Sequence, residues 1–300
     1  MNIINIIEES PNKKYIKFNE VIGQGSYKIV NKGLDTYTGC EIAWNTINTS
    51  SLSEKDKKRI IEEIEILKEC SNKNINILNM FNYWYNEELQ NVIIITQFCP
   101  SGNIRNFICK IKKIRINIIV KWLKQILSAI GFLHSKKIIH RDIKLTNIFL
   151  NNGNAILGDM GLAKKQKELT FSPLGTPEYM APEIYNEKYN EKIDIYSFGL
   201  CILEIMTGEI PYNEFSNVTQ IWKAVTNNIK PKSLLKISDL DTLNIINKCI
   251  NFNSNKRPSI KYILKSEFIN KNDNNYDYIN YNNKNIINND TLNDLNKVDK

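Results

Sequence analysis

The first third of the chain reads as short strands separated by turns. Val21-Ile22 leads into Gly23-Gln24-Gly25-Ser26-Tyr27, a second run spans Lys28 to Gly33, and a third covers Glu41 to Ile47. The period then lengthens. Ile60, Ile64 and Leu67 form an apolar stripe at helical spacing, and Ser51 with Glu54 predicts a capping box at the helix start. The apolar run Val92–Ile95 ends near Cys99-Pro100-Ser101-Gly102, which predicts a lobe boundary. Beyond it, Ile119, Trp122, Leu123, Ile126, Ile130 and Leu133 predict a helix from Ile118 to His134. More helices are expected from Asp194 to Thr207 and between Val218 and Phe268. The expected fold is α+β and bilobal, with a small β-rich lobe over 15–99 and a larger helical lobe over 100–269. An extension, residues 1–14, precedes it. The tail, 270–300, is rich in Asn and Asp with few aliphatic residues, and is expected to be disordered or loosely attached.

Composition narrows the function classes. Three hundred residues suit one large domain or two lobes around a cleft. No apolar run is expected to cross a membrane, and Met1–Ser10 lacks the basic segment and small-residue cleavage site of a secretory signal. Six cysteines are scattered without a Cys-x-x-Cys pair, and only two histidines, His134 and His140, are present. That argues against a structural zinc site and a disulfide framework, and reads as reduced cysteines in a cytoplasmic protein. The net charge is +8, although the last thirty residues hold four Lys against five Asp. Such a charge suits a phosphate-handling cleft as well as a polyanion or an anionic membrane surface. No nucleic-acid module is recognisable, so no nucleic-acid partner is expected.

Three motifs carry chemistry. They are His140-Arg141-Asp142-Ile143-Lys144-Leu145-Thr146-Asn147, then Gly158-Asp159-Met160-Gly161, then Ala181-Pro182-Glu183, with Gly23-x-Gly25 upstream. Their order resembles that of the protein kinases. Phosphoryl transfer asks a protein mainly to hold reactants in line and to neutralise spreading negative charge. Asp142 would accept the substrate hydroxyl proton or orient that hydroxyl. Asn147 and Asp159 supply the oxygen ligands that Mg²⁺ prefers. Lys144 would reach the transferring phosphate, and a lysine here resembles serine/threonine rather than tyrosine kinases.

The third strand departs from that pattern. Kinases place a phosphate-gripping lysine there, whereas this chain reads Ile42-Ala43-Trp44-Asn45. Asparagine cannot neutralise a phosphate. Side chains on a strand alternate, so Lys28 faces the same way as Val30, the match to the valine that covers adenine. Lys28 is therefore the expected catalytic lysine. Glu63 lies on the apolar stripe of the following helix, where an unpaired carboxylate is costly. It would pair with Lys28, or with an arginine in an inactive state. Glu62, Glu65 and Glu69 are expected to be solvated.

A lysine after Gly-x-Gly-Ser-aromatic, with an Ala-Trp third strand that lacks lysine, resembles the with-no-lysine (WNK) kinases over about residues 15–269. Gly33-Leu34-Asp35-Thr36, Asn147-Ile148-Phe149 and Gly175-Thr176-Pro177-Glu178-Tyr179-Met180 continue the likeness. The chain departs from the family at Asn45, usually Cys, and at Met160, usually Leu. The resemblance implies ATP and Mg²⁺ as cofactors. It implies an adenine site from Ile22, Gly23, Gly25, Val30, Ala43, Thr96, Gln97, Cys99 and Phe149, with Cys99 an inert pocket-lining thiol. Asp194 would anchor the catalytic loop, His140 would brace it, and His134 would be a core helix residue. Glu183 and Arg257 would form a buried ion pair. Ser172 matches the family's activating phosphoserine, for which Arg141 would be the partner, and Thr176 would contact Asp142. The resemblance also implies inhibitory chloride at Met160–Leu162 and protein substrates that include downstream kinases of the Ste20 type. Two other readings stand: a pseudokinase scaffold that binds nucleotide or partners without transfer, and a conventional kinase with a degenerate third strand.

Overall fold

The computed structural model describes residues 5–25, 28–165, 175–186, 189–270 and 278–281. In chain order the elements of the first lobe are β1 (Ile6–Glu9), β2 (Tyr15–Gln24), β3 (Lys28–Asp35), β4 (Glu41–Asn48), α1 (Glu54–Cys70), β5 (Met80–Asn86) and β6 (Asn91–Gln97). The strands form one antiparallel sheet in the order β1-β2-β3-β4-β6-β5. β1 was expected to lie outside the fold; it pairs instead with β2, so part of the 1–14 extension belongs to the sheet.

Alternation along β4 splits this sheet into two faces. Ile42 and Trp44 pack with Tyr15, Ile93 and Ile95 on one side, where Trp84 meets Trp44 edge-on at 5.1 Å. Ile47 and Ile94 join the main core with Ile64 and Leu67 of α1 on the other. The helix starts differently from the expectation. Its N-cap is Ser53, whose hydroxyl accepts from the Asp56 N–H, not Ser51 with Glu54. Asp56 Oδ2 in turn accepts from the Ser53 hydroxyl at 2.6 Å.

The second lobe comprises α2 (Ile104–Lys110), β7 (Lys113–Arg115), α3 (Ile116–Ser135), β8 (Ile138–Ile139), β9 (Ile148–Asn151), β10 (Asn154–Leu157), β11 (Lys164–Lys165), α4 (Lys192–Thr207), α5 (Val218–Thr226), α6 (Leu240–Cys249), α7 (Ile260–Leu264), α8 (Glu267–Asn270) and β12 (Tyr278–Asn280). α4 is buried from Ile193 to Ile205 without a polar stripe, so it is the axis of this lobe. Among the described residues one helix, α3, is long and apolar enough to cross a membrane by length and composition alone. Its apolar face, Ile119, Trp122, Leu123, Ile126, Ile130 and Leu133, is buried in the core.

The tail also departs from expectation. Tyr278–Asn280 pair with β7, and Tyr281 is 5% exposed with its hydroxyl donating to the Ile205 carbonyl at 2.8 Å. Lys113 and Arg115 lie over the Tyr278 ring. Two tyrosines and a free strand edge outweigh the polar composition around them. Gly208, at φ +71°, ends α4 in the left-handed conformation that glycine tolerates, directly against the Tyr281 ring.

Candidate active site

The catalytic-loop residues are held from below by α4. Asp194 is fully buried and accepts from the His140 N–H at 3.0 Å and the Arg141 N–H at 2.9 Å. Burial pushes its carboxyl up, but the hydrogen bond and charge of His134, with the charge and N–H of His140, outweigh that, so it stays below the usual Asp range. His134 is thus more than a core residue: its Nε2 is 2.8 Å from Asp194. His140 accepts from the Asp142 N–H through Nδ1, which leaves Nε2–H to donate to the Gly158 carbonyl at 3.0 Å. One imidazole therefore ties the loop carrying Asp142 to the loop carrying Asp159.

Asp142, at the centre, is nearly buried. Its Oδ1 accepts from the Thr176 hydroxyl at 2.8 Å, and its Oδ2 accepts from Asn147 Nδ2 at 2.9 Å and lies 2.8 Å from Lys144 Nζ. Lys144 also donates to Thr176 Oγ1 at 2.6 Å. Burial raises the Asp142 pKa; the ammonium of Lys144 and the hydrogen bonds from Lys144 and Thr176 more than reverse that, so it lies below its ordinary value and is ionised at neutral pH.

Asn147 gives its amide nitrogen to the Asp142 carbonyl and carboxylate, which turns its oxygen away from them. Asp159 is exposed, at φ +55°. This pair of oxygen donors fits Mg²⁺, which takes few protein ligands and fills its shell with phosphate and water. Among the described residues no group of three or more His, Cys, Asp or Glu is gathered, so a fully protein-ligated metal has no site here. Gly158 must be glycine for packing, since a Cβ there would come within 2.9 Å of the Phe149 ring.

The sheet supplies the upper wall. Lys28 pairs in register with Ile47, Val30 with Asn45 and Lys32 with Ala43, and Asn45 and Ala43 pair with Ile94 and Thr96. Lys28, Val30, Ala43, Asn45 and Thr96 therefore share one face. Lys28 Nζ stands 3.9 Å from Glu63 Oε1, with the lysine side chain 37% exposed and the glutamate 11%. Burial raises the Glu63 pKa; Lys28 opposes this and the Asp159 charge adds to it. A Cβ on Gly161 would meet both Glu63 and Asp159, so these two carboxylates converge with Lys28 on one spot.

Gly23 pairs with Val30, Gly25 closes its turn by donating to the Lys28 carbonyl at 2.7 Å, and Ile22 is exposed near the end of β2. From β6 the chain runs through Gln97 and Cys99 to Asn103, which bridges to Phe149 on β9. The Gln97 N–H donates to the Asn79 carbonyl at 2.9 Å, so its carbonyl is what it can offer a base. Burial pushes the Cys99 thiol up to about 12, which keeps it unreactive at neutral pH.

Several contacts escaped the sequence reading. Glu62 and Glu69 are not simply solvated: they pair with Lys164 at 3.4 Å and Lys165 at 3.3 Å, which ties β11 to α1. Arg141 donates from Nε to the Leu162 carbonyl at 2.6 Å and from Nη1 to the Tyr189 hydroxyl at 2.9 Å. Glu204, buried within α4, is satisfied by Arg105 and the Tyr179 hydroxyl. The Glu183–Arg257 pair, by contrast, was expected, and Arg257 grips Glu183 with both nitrogens of its fork, at 2.5 and 2.6 Å. Ser172 lies outside the described residues. For Arg105, no sequence signal was available; for Lys164, its partner Glu62 stood in a cluster with Glu63, Glu65 and Glu69.

Comparison with known proteins accounts for this arrangement. Residues 16–269 match the protein kinase domain family. The chain is 37% identical over 273 residues to the serine/threonine-protein kinase WNK of Caenorhabditis elegans, covering 87% of this chain and 15% of that protein. It is 39% identical over 276 residues to serine/threonine-protein kinase WNK8 of Arabidopsis thaliana, covering 90% and 48%. With the probable serine/threonine-protein kinase WNK6 of rice it shares 39% over 280 residues, covering 91% and 63%. The chain thus spans less than two thirds of the length of these curated relatives. It belongs to the protein kinase family, with a kinase domain of the with-no-lysine type.

Proposed function

We propose that the chain is an ATP-dependent protein serine/threonine kinase whose nucleotide-gripping lysine is Lys28. The carrying observation is the 3.9 Å approach of Lys28 Nζ to Glu63 on the face that also bears Val30 and Asn45. The cleft keeps a cation although β4 has none. Lys28 would neutralise nucleotide phosphates, with Glu63 holding its ammonium in place. Asp142, ionised and fixed by Thr176 and Asn147, would accept the hydrogen bond of a substrate hydroxyl and orient it for in-line attack. Lys144, already beside Asp142, would meet charge building on the transferred group. Asn147 and Asp159 would hold Mg²⁺, which supplies further neutralisation of the phosphates when bound. Val30, Ala43 and Phe149 would enclose adenine, and Gln97 and Cys99 would hydrogen-bond its edge.

The remaining readings follow the same logic. Phosphorylation of Ser172 would switch the enzyme on through Arg141. Chloride would inhibit by occupying N–H groups of Met160–Leu162; the Gly161 N–H now faces Asp159 Oδ1 at 3.3 Å, so the anion would have to displace that carboxylate. Substrates would be proteins, downstream kinases among them. Six free cysteines fit a cytoplasmic setting.

The test is autophosphorylation with Mg-ATP in the wild type, Lys28→Met and Asp142→Asn. Activity in the wild type and loss in both variants is expected. Full activity in Lys28→Met, with gain in Asn45→Lys, would overturn the role of Lys28. A silent wild type that still binds nucleotide would establish the scaffold instead.

A further inference from the structure

We infer that Asn45, at the position vacated by lysine, is a positioning residue that fixes the side chain of Thr96 and so sets the size selectivity of the adenine site. The inference rests on the adenine site assigned above. Asn45 and Thr96 are each 5% exposed, on adjacent strands β4 and β6. Asn45 pairs in register with Ile94, which puts Thr96 diagonally opposite on the same face. Asn45 Nδ2 donates to the Ile94 carbonyl at 2.9 Å, to Thr96 Oγ1 at 3.1 Å and to its own strand's Ala43 carbonyl at 3.2 Å.

The orientation of this amide follows from chemistry. Two of its three neighbours are backbone carbonyls, which only accept, so the atom facing them is the nitrogen. Two amide hydrogens serve three acceptors, so the nitrogen is fully committed to the sheet. It has no hydrogen left for a nucleotide, and as a neutral amide it substitutes for lysine in space but not in charge.

Thr96 is β-branched, and its rotamer is set once its hydroxyl is placed. With Oγ1 held toward Asn45, the remaining substituent on Cβ is placed too. Thr96 stands immediately before Gln97, whose carbonyl would accept from the base in the adenine site assigned above. The donor on the matching edge of adenine is the N6 amino group, so N6 would sit beside Thr96. A fixed Thr96 leaves that amino group a wall of one shape, and a pre-organised wall favours the unsubstituted base.

The experiment measures dissociation constants and kcat/KM for ATP and for N6-benzyl-ATP in the wild type, Asn45→Ala, Thr96→Val and the double variant, with thermal unfolding alongside. Asn45→Ala is expected to shift the ATP to N6-benzyl-ATP selectivity ratio about three- to tenfold toward the larger nucleotide, the worth of one buried hydrogen bond. Thr96→Val breaks the same bond from the other side at nearly constant volume. It should shift the ratio likewise, and the double variant no further than either single. Thr96→Val alone decides the matter if Asn45→Ala does not fold. A lowered melting temperature with an unchanged ratio would make Asn45 a strand staple only, and would overturn the inference. Nucleotide binding without turnover would sink the kinase reading while leaving this one measurable. A wild type that binds neither nucleotide would remove both.

Discussion

Tyr281 offers a sharp test of how far the folded unit extends. α4 ends at Thr207, so the Ile205 carbonyl is among the last four that lack a partner inside the helix. Gly208 N–H serves Glu204, one turn back. The Ile205 carbonyl is served by the Tyr281 hydroxyl at 2.8 Å, a buried bond between residues 76 apart in sequence. Tyr281→Phe keeps the ring and deletes the donor, leaving a buried carbonyl unsatisfied at a cost of about 1–3 kcal/mol. Tyr281→Ala also empties the space against Gly208, and removal of a large aromatic side chain costs about 3–5 kcal/mol. Burial pushes the phenol well above its ordinary range, so it remains a donor throughout neutral pH and the difference should not vary there. Urea unfolding at pH 7, followed by tryptophan fluorescence, would give the two losses from the midpoints. If Tyr281→Phe and Tyr281→Ala both unfold within about 0.5 kcal/mol of the wild type, the range of ordinary surface substitutions, then β12 does not belong to the cooperative unit.

Other outcomes follow from the site. Glu63 is raised by burial, so its folded form holds a proton more readily than the unfolded chain; the stability this contributes is complete below the ordinary glutamate value and is lost as pH rises through the raised one. Glu63→Gln should therefore raise the melting temperature at pH 7 relative to wild type while lowering kcat/KM, and a fall in both would contradict the sign. Asp142 is depressed, so its contribution is present above the ordinary Asp value of about 3.9 and disappears as pH falls through its folded value; Asp142→Asn should flatten that acid limb in a pH series of unfolding midpoints. Ser172→Ala should abolish activation by preincubation with Mg-ATP, and full retention of activity would exclude that switch. Autophosphorylation should fall with rising chloride at constant ionic strength, and a flat titration would remove the anion site.

Local pattern determined much of this protein. The alternation that placed Lys28 beside Val30 is a property of any strand, and β3 and β4 extend it in register. The helical period that put Glu63 on the apolar stripe survives in α1, because a carboxylate there faces whatever the helix packs on. Motif order was sufficient for Asp142, Lys144 and Asn147, which converge because they lie within five residues of one another, and the later motif brings Thr176 against Asp142 from 34 residues away. Tertiary structure decided the rest. The choice of Ser53 over Ser51 as helix cap depended on where the chain leaves β4, which two serines in similar contexts do not reveal. Asn45 acquires its role only when β6 lies alongside β4, and Lys164 finds Glu62 only when β11 reaches α1. The docking of Tyr278–Tyr281 ran against the composition of its neighbourhood. Composition averages over a segment, whereas one strand edge and one unsatisfied carbonyl 76 residues away are enough to hold four residues of it.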